Sequence, residues 1–219
     1  MRELRAALLA EGSSDRGLIG VLERVCVSKG IKKIHIDWGD ERLAPFDLGR
    51  ALTPRIQKLL EVDPGYDLLF VHRDADSEDA HARYSEIRLA CANQATCPPH
   101  VCVVPIQELE AWLLVDETAI LRLVGGSKSI SLGLPKPKQL ERRAKPKELL
   151  ADALARAKVR RPSARPKPLK SREFGLLRAQ LLENLNIEGD VTQLSAWQRL
   201  LSDIDEAIAL LRLEFPTHL

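Results

Sequence analysis

Asp67-Leu68-Leu69-Phe70-Val71-His72-Arg73-Asp74-Ala75-Asp76 runs from an unbroken apolar stretch straight into charge. A short continuous apolar run bounded by turn-forming residues is the signature of a strand buried on both faces, as strands of parallel sheets are. Working outward, residues 4–10 (LRAALLA) read the same way and break at Glu11-Gly12-Ser13-Ser14-Asp15. Val101-Cys102-Val103-Val104 is a further such run, ended by Pro105, and Ile34, Ile36 and Trp38 alternate as one more strand. Helical spacing separates them. Leu18, Ile19, Leu22, Val25 and Cys26 form one apolar stripe, with Ser14 as its expected N-cap and Gly30 as its stop. Leu48, Leu52, Ile56, Leu59 and Leu60 form another, with Pro54 at its start or kinking it. Residues 79–93 and 107–123 read as further helices. Strand–helix alternation predicts an α/β domain with a parallel or mostly parallel sheet and helices on both faces.

Beyond Gly125-Gly126 the character changes. Pro-Lys and Pro-Arg pairs recur, no strand signal appears, and residues 147–158, 173–186 and 192–213 read as helices. Of the 33 Lys and Arg, 14 fall between Lys136 and Arg172, against three of the 31 acids. That segment is +11 and the remainder −9, within a chain of net charge +2. The expected organisation is therefore an α/β core over residues 1–125 and a basic, helical C-terminal region over 126–219. No apolar run approaches the roughly 20 residues of a membrane span. The N-terminus lacks the apolar stretch and cleavage site of a signal peptide, so a cytoplasmic location is expected. Cys26, Cys91, Cys97 and Cys102 show no C-x-x-C pair and no His at finger spacing, which argues against zinc and for buried, reduced thiols.

In open α/β sheets the working site lies beyond the carboxyl ends of the strands. Glu11 and Asp15 follow the first strand. His72-Arg73-Asp74-Ala75-Asp76 follows the third, and Glu108 and Glu110 follow the fourth. Carboxylates gathered at one edge repel one another and stay ionised only with positive charge between them. Oxygen donors favour hard ions, Mg²⁺ or Mn²⁺, over zinc. Asp74 and Asp76 are two apart, so an extended backbone would point both the same way. The competing reading is that acids simply favour strand ends and turns. An Asp-x-Asp phosphatase pair is disfavoured, because Ser77-Glu78 stands where such enzymes carry x-[Thr/Val].

The ordered set Ala10-Glu11-Gly12-Ser13-Ser14-Asp15, Val71-His72-Arg73-Asp74-Ala75-Asp76 and Val104-Pro105-Ile106-Gln107-Glu108-Leu109-Glu110-Ala111-Trp112-Leu113-Leu114 resembles the Toprim superfamily, which includes catalytic domains of topoisomerases, primases and OLD-family nucleases. More narrowly it is similar to the DUF4276 family of Toprim-like proteins, whose later P-K-x-L is matched by Pro146-Lys147-Glu148-Leu149. The match spans about residues 1–150. The resemblance implies a Toprim/Rossmann-like fold and a divalent-metal-dependent nuclease. Glu11 would be ligand or general base and Asp74 and Asp76 the metal pair, with Asp15 and Glu110 as further ligands. It leaves open whether Glu108 or Glu110 faces the metal. It also implies an AAA-type or SMC-like ATPase partner in a two-part defence system, and no P-loop of this chain's own supplies ATP use. Tyr66 and Tyr84 both fall inside the core, so strand passage by this chain alone is not expected.

Nucleic acid is the expected partner, with Arg73, Lys147, Arg160, Arg161 and Arg165 as its backbone contacts. Lys and Arg gain affinity by releasing phosphate counterions. Arg73 could equally neutralise the neighbouring acids, and His72 and Trp112 read best as packed residues. The alternative function is a non-catalytic metal- or nucleic-acid-binding module that regulates an ATPase.

Overall fold

The computed structural model describes residues 3–127, 129–159 and 165–214. Four strands, β1 (Leu4–Leu9), β2 (Ile34–Trp38), β3 (Leu68–His72) and β4 (His100–Val103), form an all-parallel sheet in the order β2-β1-β3-β4. Between them lie α1 (Leu18–Ser28), α2 (Gly39–Leu43), α3 (Leu52–Val62) and α4 (His81–Ala92). The chain then continues through α5 (Glu110–Leu113), α6 (Glu117–Leu123), α7 (Pro137–Leu140), α8 (Pro146–Ala157), α9 (Ser171–Glu183) and α10 (Ser195–Glu214). The fold is α/β and Rossmann-like, as the strand–helix alternation predicts. No helix among the described residues is long and apolar enough to cross a membrane.

Every residue of β3 is buried, and all of β1 except Arg5. This is why these central strands read as unbroken apolar runs, whereas β2, at the edge, alternates. The order places β1 beside β3, with Leu8 facing Phe70 and Leu9 facing Val71. The chain winds outward from β1 to β2 and then, from β3, outward in the opposite direction to β4. Right-handed crossovers put α1 on one face and α3 and α4 on the other, and α3 packs against α4. The winding reverses between β1 and β3, so their carboxyl ends flank the crevice where such sheets bind ligands.

Contacts divide the chain into two compact units. The first comprises Met1–Asp74, Asp79–Val104 and Arg199–Leu219, and the second Ala75–Glu78 and Pro105–Gln198. Residue 125, where the composition shifts, lies inside the second. The first unit holds the sheet and most of α10, whose Asp205 pairs with Lys29 at 2.6 Å and whose Arg199 guanidinium lies over the Tyr84 ring. The second is helical. Trp112 and Trp197 meet edge to face in its core, ring centroids 5.0 Å apart and both fully buried.

Several boundaries differ from expectation for local reasons. Residues 107–123 do not form one helix. The chain breaks after Leu114, and the Asp116 carboxylate accepts the Ala119 N–H at 2.8 Å to cap α6. Ser14 does not cap α1. It lies in a 3₁₀ turn, Ser13–Asp15, and α1 begins at Leu18. The helix expected from Leu48 starts at Leu52, with Pro54 in its first turn where the missing N–H costs nothing.

Candidate functional site

At the carboxyl end of β1 the chain leaves the strand at Ala10. Its N–H donates to Asp40 Oδ2 at 3.4 Å, and its carbonyl accepts from Arg55 Nη2 at 3.0 Å. Arg55, buried, also pairs with Asp40. This clamp fixes where Glu11 leaves the strand. Asp40 reaches it because Gly39 lets the β2–α2 turn press against β1: a Cβ at Gly39 would stand 2.8 Å from Leu9 Cδ2 and 3.0 Å from the Leu8 carbonyl oxygen.

At the adjacent end of β3, Asp74 donates its backbone N–H to Glu11 Oε2 at 3.2 Å. The two carboxylates are partly open to solvent, Glu11 at 28% and Asp74 at 23%. Two buried basic side chains stand against them. Arg73 Nη1 is 3.8 Å from Glu11 Oε1 and its Nη2 is 3.3 Å from Glu86 Oε1, while the same nitrogen donates to the Arg50 carbonyl. His72 is fully buried, with Nδ1 3.5 Å from Asp15 Oδ2 and Nε2 3.5 Å from Asp74 Oδ1. Those separations are long for hydrogen bonds, so the attraction is mainly electrostatic. Burial alone would lower the His72 pKa. Contact with Asp74, and the charges of Asp74, Asp15 and Glu11, outweigh it and raise the pKa. Glu11 also lines a cavity of ≈ 390 Å³ with Asp40, Asp47, Arg50 and Arg55.

The first unit thus brings Glu11, Asp15 and Asp74 together around His72 and Arg73. Asp15 is turned inward, accepting the Gly12 N–H at 3.3 Å and the Ser14 hydroxyl at 3.2 Å. Arg73 is an internal counter-charge, buried rather than displayed to a phosphate. Asp76 belongs to the second unit. The backbone there is not extended: φ is +54° at Asp76 and +64° at Gln107. Ala75 N–H donates to Pro105 O, Asp76 N–H to Gln107 O and Gln107 N–H to Ser77 O, so a paired turn, not strand alternation, directs the Asp76 side chain.

Within the second unit, Glu108 Oε2 accepts the Lys147 N–H at 2.8 Å in the first turn of α8. Glu110 is buried and takes Arg178 Nε at 2.7 Å, both side chains almost wholly excluded from water. The Lys147 and Arg165 side chains are exposed. Arg165 lines a hollow of ≈ 420 Å³ with Lys158, Lys167 and Lys170. Arg160 and Arg161 lie outside the described residues.

Sequence reasoning missed Asp40 and Arg50. Asp40 was legible, since it follows β2 as Glu11 follows β1. Arg50 had no signal beyond the preceding Gly49, which adopts φ +61°. It also missed a cluster of Cys91, Cys97 and His100, whose sequence signal is the C-x₂-H of Cys97-Pro98-Pro99-His100. There the hydrogen bond with Cys91, aided by His100, holds the Cys97 thiol down to about 5, while Cys91 is pushed up. Among the described residues this is the group of three or more potential ligands whose donor atoms converge within 4.8 Å of one another.

No protein-family model, no curated protein and no solved structure matches this chain.

Proposed function

We propose that the chain is a divalent-metal-dependent nuclease that hydrolyses phosphodiester bonds at the carboxyl ends of β1 and β3. The observation that carries this is the Glu11–Asp74 pair. Two partly exposed carboxylates stand at the reversal point of the sheet, joined through the Asp74 N–H and backed by the buried side chains of Arg73 and His72. Their all-oxygen donor chemistry fits Mg²⁺ or Mn²⁺. Bound there, such an ion would supply Lewis-acid stabilisation to the oxygens of the reacting phosphate. Arg73 and His72 are the basic side chains that face these acids. Glu11 accepts the proton of the attacking water as its oxygen bonds to phosphorus and the leaving oxygen departs with the bonding pair. Arg50, exposed on the cavity wall beside Glu11, binds a non-bridging phosphate oxygen.

The resemblance to Toprim-like nucleases supports this reading, and with it the nucleic-acid substrate, a defence role and an ATPase partner. A second reading, a binding module that regulates the ATPase, is favoured by one observation. The chain itself supplies part of the positive charge that its crowded acids need, through Arg73, with the basic His72 beside it. Incubating the protein with DNA and with RNA in Mg²⁺ or Mn²⁺ separates the two. Cleavage by the wild type that falls about 10²-fold or more in Glu11→Gln and in Asp74→Asn, both retaining the wild-type circular dichroism, supports the enzyme. A wild type that cuts neither substrate, alone or with its ATPase, leaves the module.

A further inference from the structure

The opposite edge of the same sheet carries chemistry of a different kind. Cys91 lies in the last turn of α4, His100 is the first residue of β4, and Cys97 sits in the loop between them. Parallel strands place this edge at the amino-terminal ends, away from Glu11 and Asp74. The two sulfurs and a ring nitrogen lie within 4.8 Å of one another. An ion bonded at roughly 2.0–2.3 Å in a tetrahedron holds its ligands about 3.5–3.8 Å apart, which falls inside that bound.

The loop is built to hold them there. Pro98 and Pro99 fix two successive φ angles, so Cys97 and His100 are joined by a stiff link. The Pro99 carbonyl accepts the Leu69 N–H at 3.0 Å, which fastens that link to β3. Gln94 N–H donates to the Cys91 carbonyl at 3.0 Å, and the Gln94 side chain reaches the carbonyls of Ala90 and Thr53. Cys91 is buried, while Cys97 and His100 are half-buried. Cys97 also lines a cavity of ≈ 450 Å³ with Tyr66, Asp67 and Thr96.

We propose that Cys91, Cys97 and His100 form a second metal site, one that takes Zn²⁺ through two thiolates and an imidazole and leaves a fourth position open towards this cavity for water. The donor set selects the ion. Thiolate and imidazole suit zinc and reject the hard Mg²⁺ that carboxylates prefer. Three protein ligands with an open fourth position distinguish it from the closed four-ligand sites of purely structural zinc. The proposal is independent of the nuclease reading, since it shares no residue with it.

The test uses the full chain, reduced and metal-free, titrated with Co²⁺ and then Zn²⁺. Expected are a near-ultraviolet thiolate-to-cobalt charge-transfer band, the intense visible bands of tetrahedral cobalt, and displacement of both by one equivalent of zinc. Cys97→Ser and His100→Ala weaken zinc binding on the order of 100-fold, since even outer-shell partners cost 10–100-fold. Cys102→Ser, a buried thiol outside the cluster, and the Glu11→Gln/Asp74→Asn double variant bind as the wild type does. Cobalt without a thiolate band, in the unmutated protein, overturns the site. So does zinc uptake that survives loss of Cys97 and disappears with the two carboxylates.

Discussion

Glu110 and Arg178 form an ion pair with almost no access to water, and such a pair behaves differently from a metal ligand. Removing one partner leaves the other charge buried and uncompensated, a cost of about 3–5 kcal/mol. Glu110→Ala is therefore expected to lower the unfolding free energy by that order, equally with and without Mg²⁺, as read by denaturant titration. Glu110→Ala/Arg178→Met should recover much of the loss, because it removes both charges. A Glu110→Ala protein that is stable but has lost metal affinity would instead place Glu110 in the ligand set. Glu11 and Glu110 both follow a strand in sequence, yet one reaches partial exposure at the sheet edge and the other a buried arginine contributed by α9. Nothing in the local sequence of Glu110 announces Arg178, which lies 68 residues away.

Single elements show which signals travel through the sequence. β1 and β3 were legible because a strand buried on both faces must be apolar throughout. The break between α5 and α6 was not, because the apolar stripe continues across it and only the Asp116 cap marks the new start. Cys91, Cys97 and His100 come from a helix end, a loop and a strand start, so no single period contains them. The start of β1 carries its own clamp. Arg5 N–H donates to Asp67 Oδ2 and the Arg5 carbonyl accepts the Asp67 N–H, which sets β1 in register before β3 begins. The Arg5 guanidinium pairs with Asp63 at 2.8 Å and lies over the Tyr66 ring. Its hydrogen bond holds the Asp63 carboxyl below the usual aspartate range. A depressed acid pKa stabilises the fold above the unfolded value near 3.9, and that contribution is lost as pH falls through the folded value. Arg5→Gln is thus expected to lower Tm at pH 7 by a small amount, within the ~0.2–1 kcal/mol of exposed pairs. The difference should vanish in acid, once the pH is below the folded value. A gap that persists there would assign the effect to packing on Tyr66.

Over the whole molecule, charge is segregated in sequence, with +11 between Lys136 and Arg172. Four of those cations, Lys158, Arg165, Lys167 and Lys170, line one hollow, where Lys158 is engaged by Glu173. If this surface grips phosphate backbone, the logarithm of affinity falls linearly with the logarithm of salt concentration, and each contact removed lowers the slope by about 0.7–0.9. Replacing Arg165, Lys167 and Lys170 by Glu is expected to flatten that slope in a fluorescence-anisotropy titration, without sequence preference. Binding indifferent to salt would make the hollow a solvated surface. The segment contains little aromatic surface, which fits backbone contact rather than base stacking.

The division into units has a further consequence, for synthesis. The sheet is complete in sequence at Val103, but four large buried apolar side chains of its unit, Leu200, Ile204, Ile208 and Leu211, are about 100 residues downstream. At ~5–20 residues per second, a ribosome takes roughly 5–20 s to cover that interval. During it the first unit has all its strands but lacks the last of its buried apolar side chains, while the second unit, nearly continuous in sequence, is free to fold first.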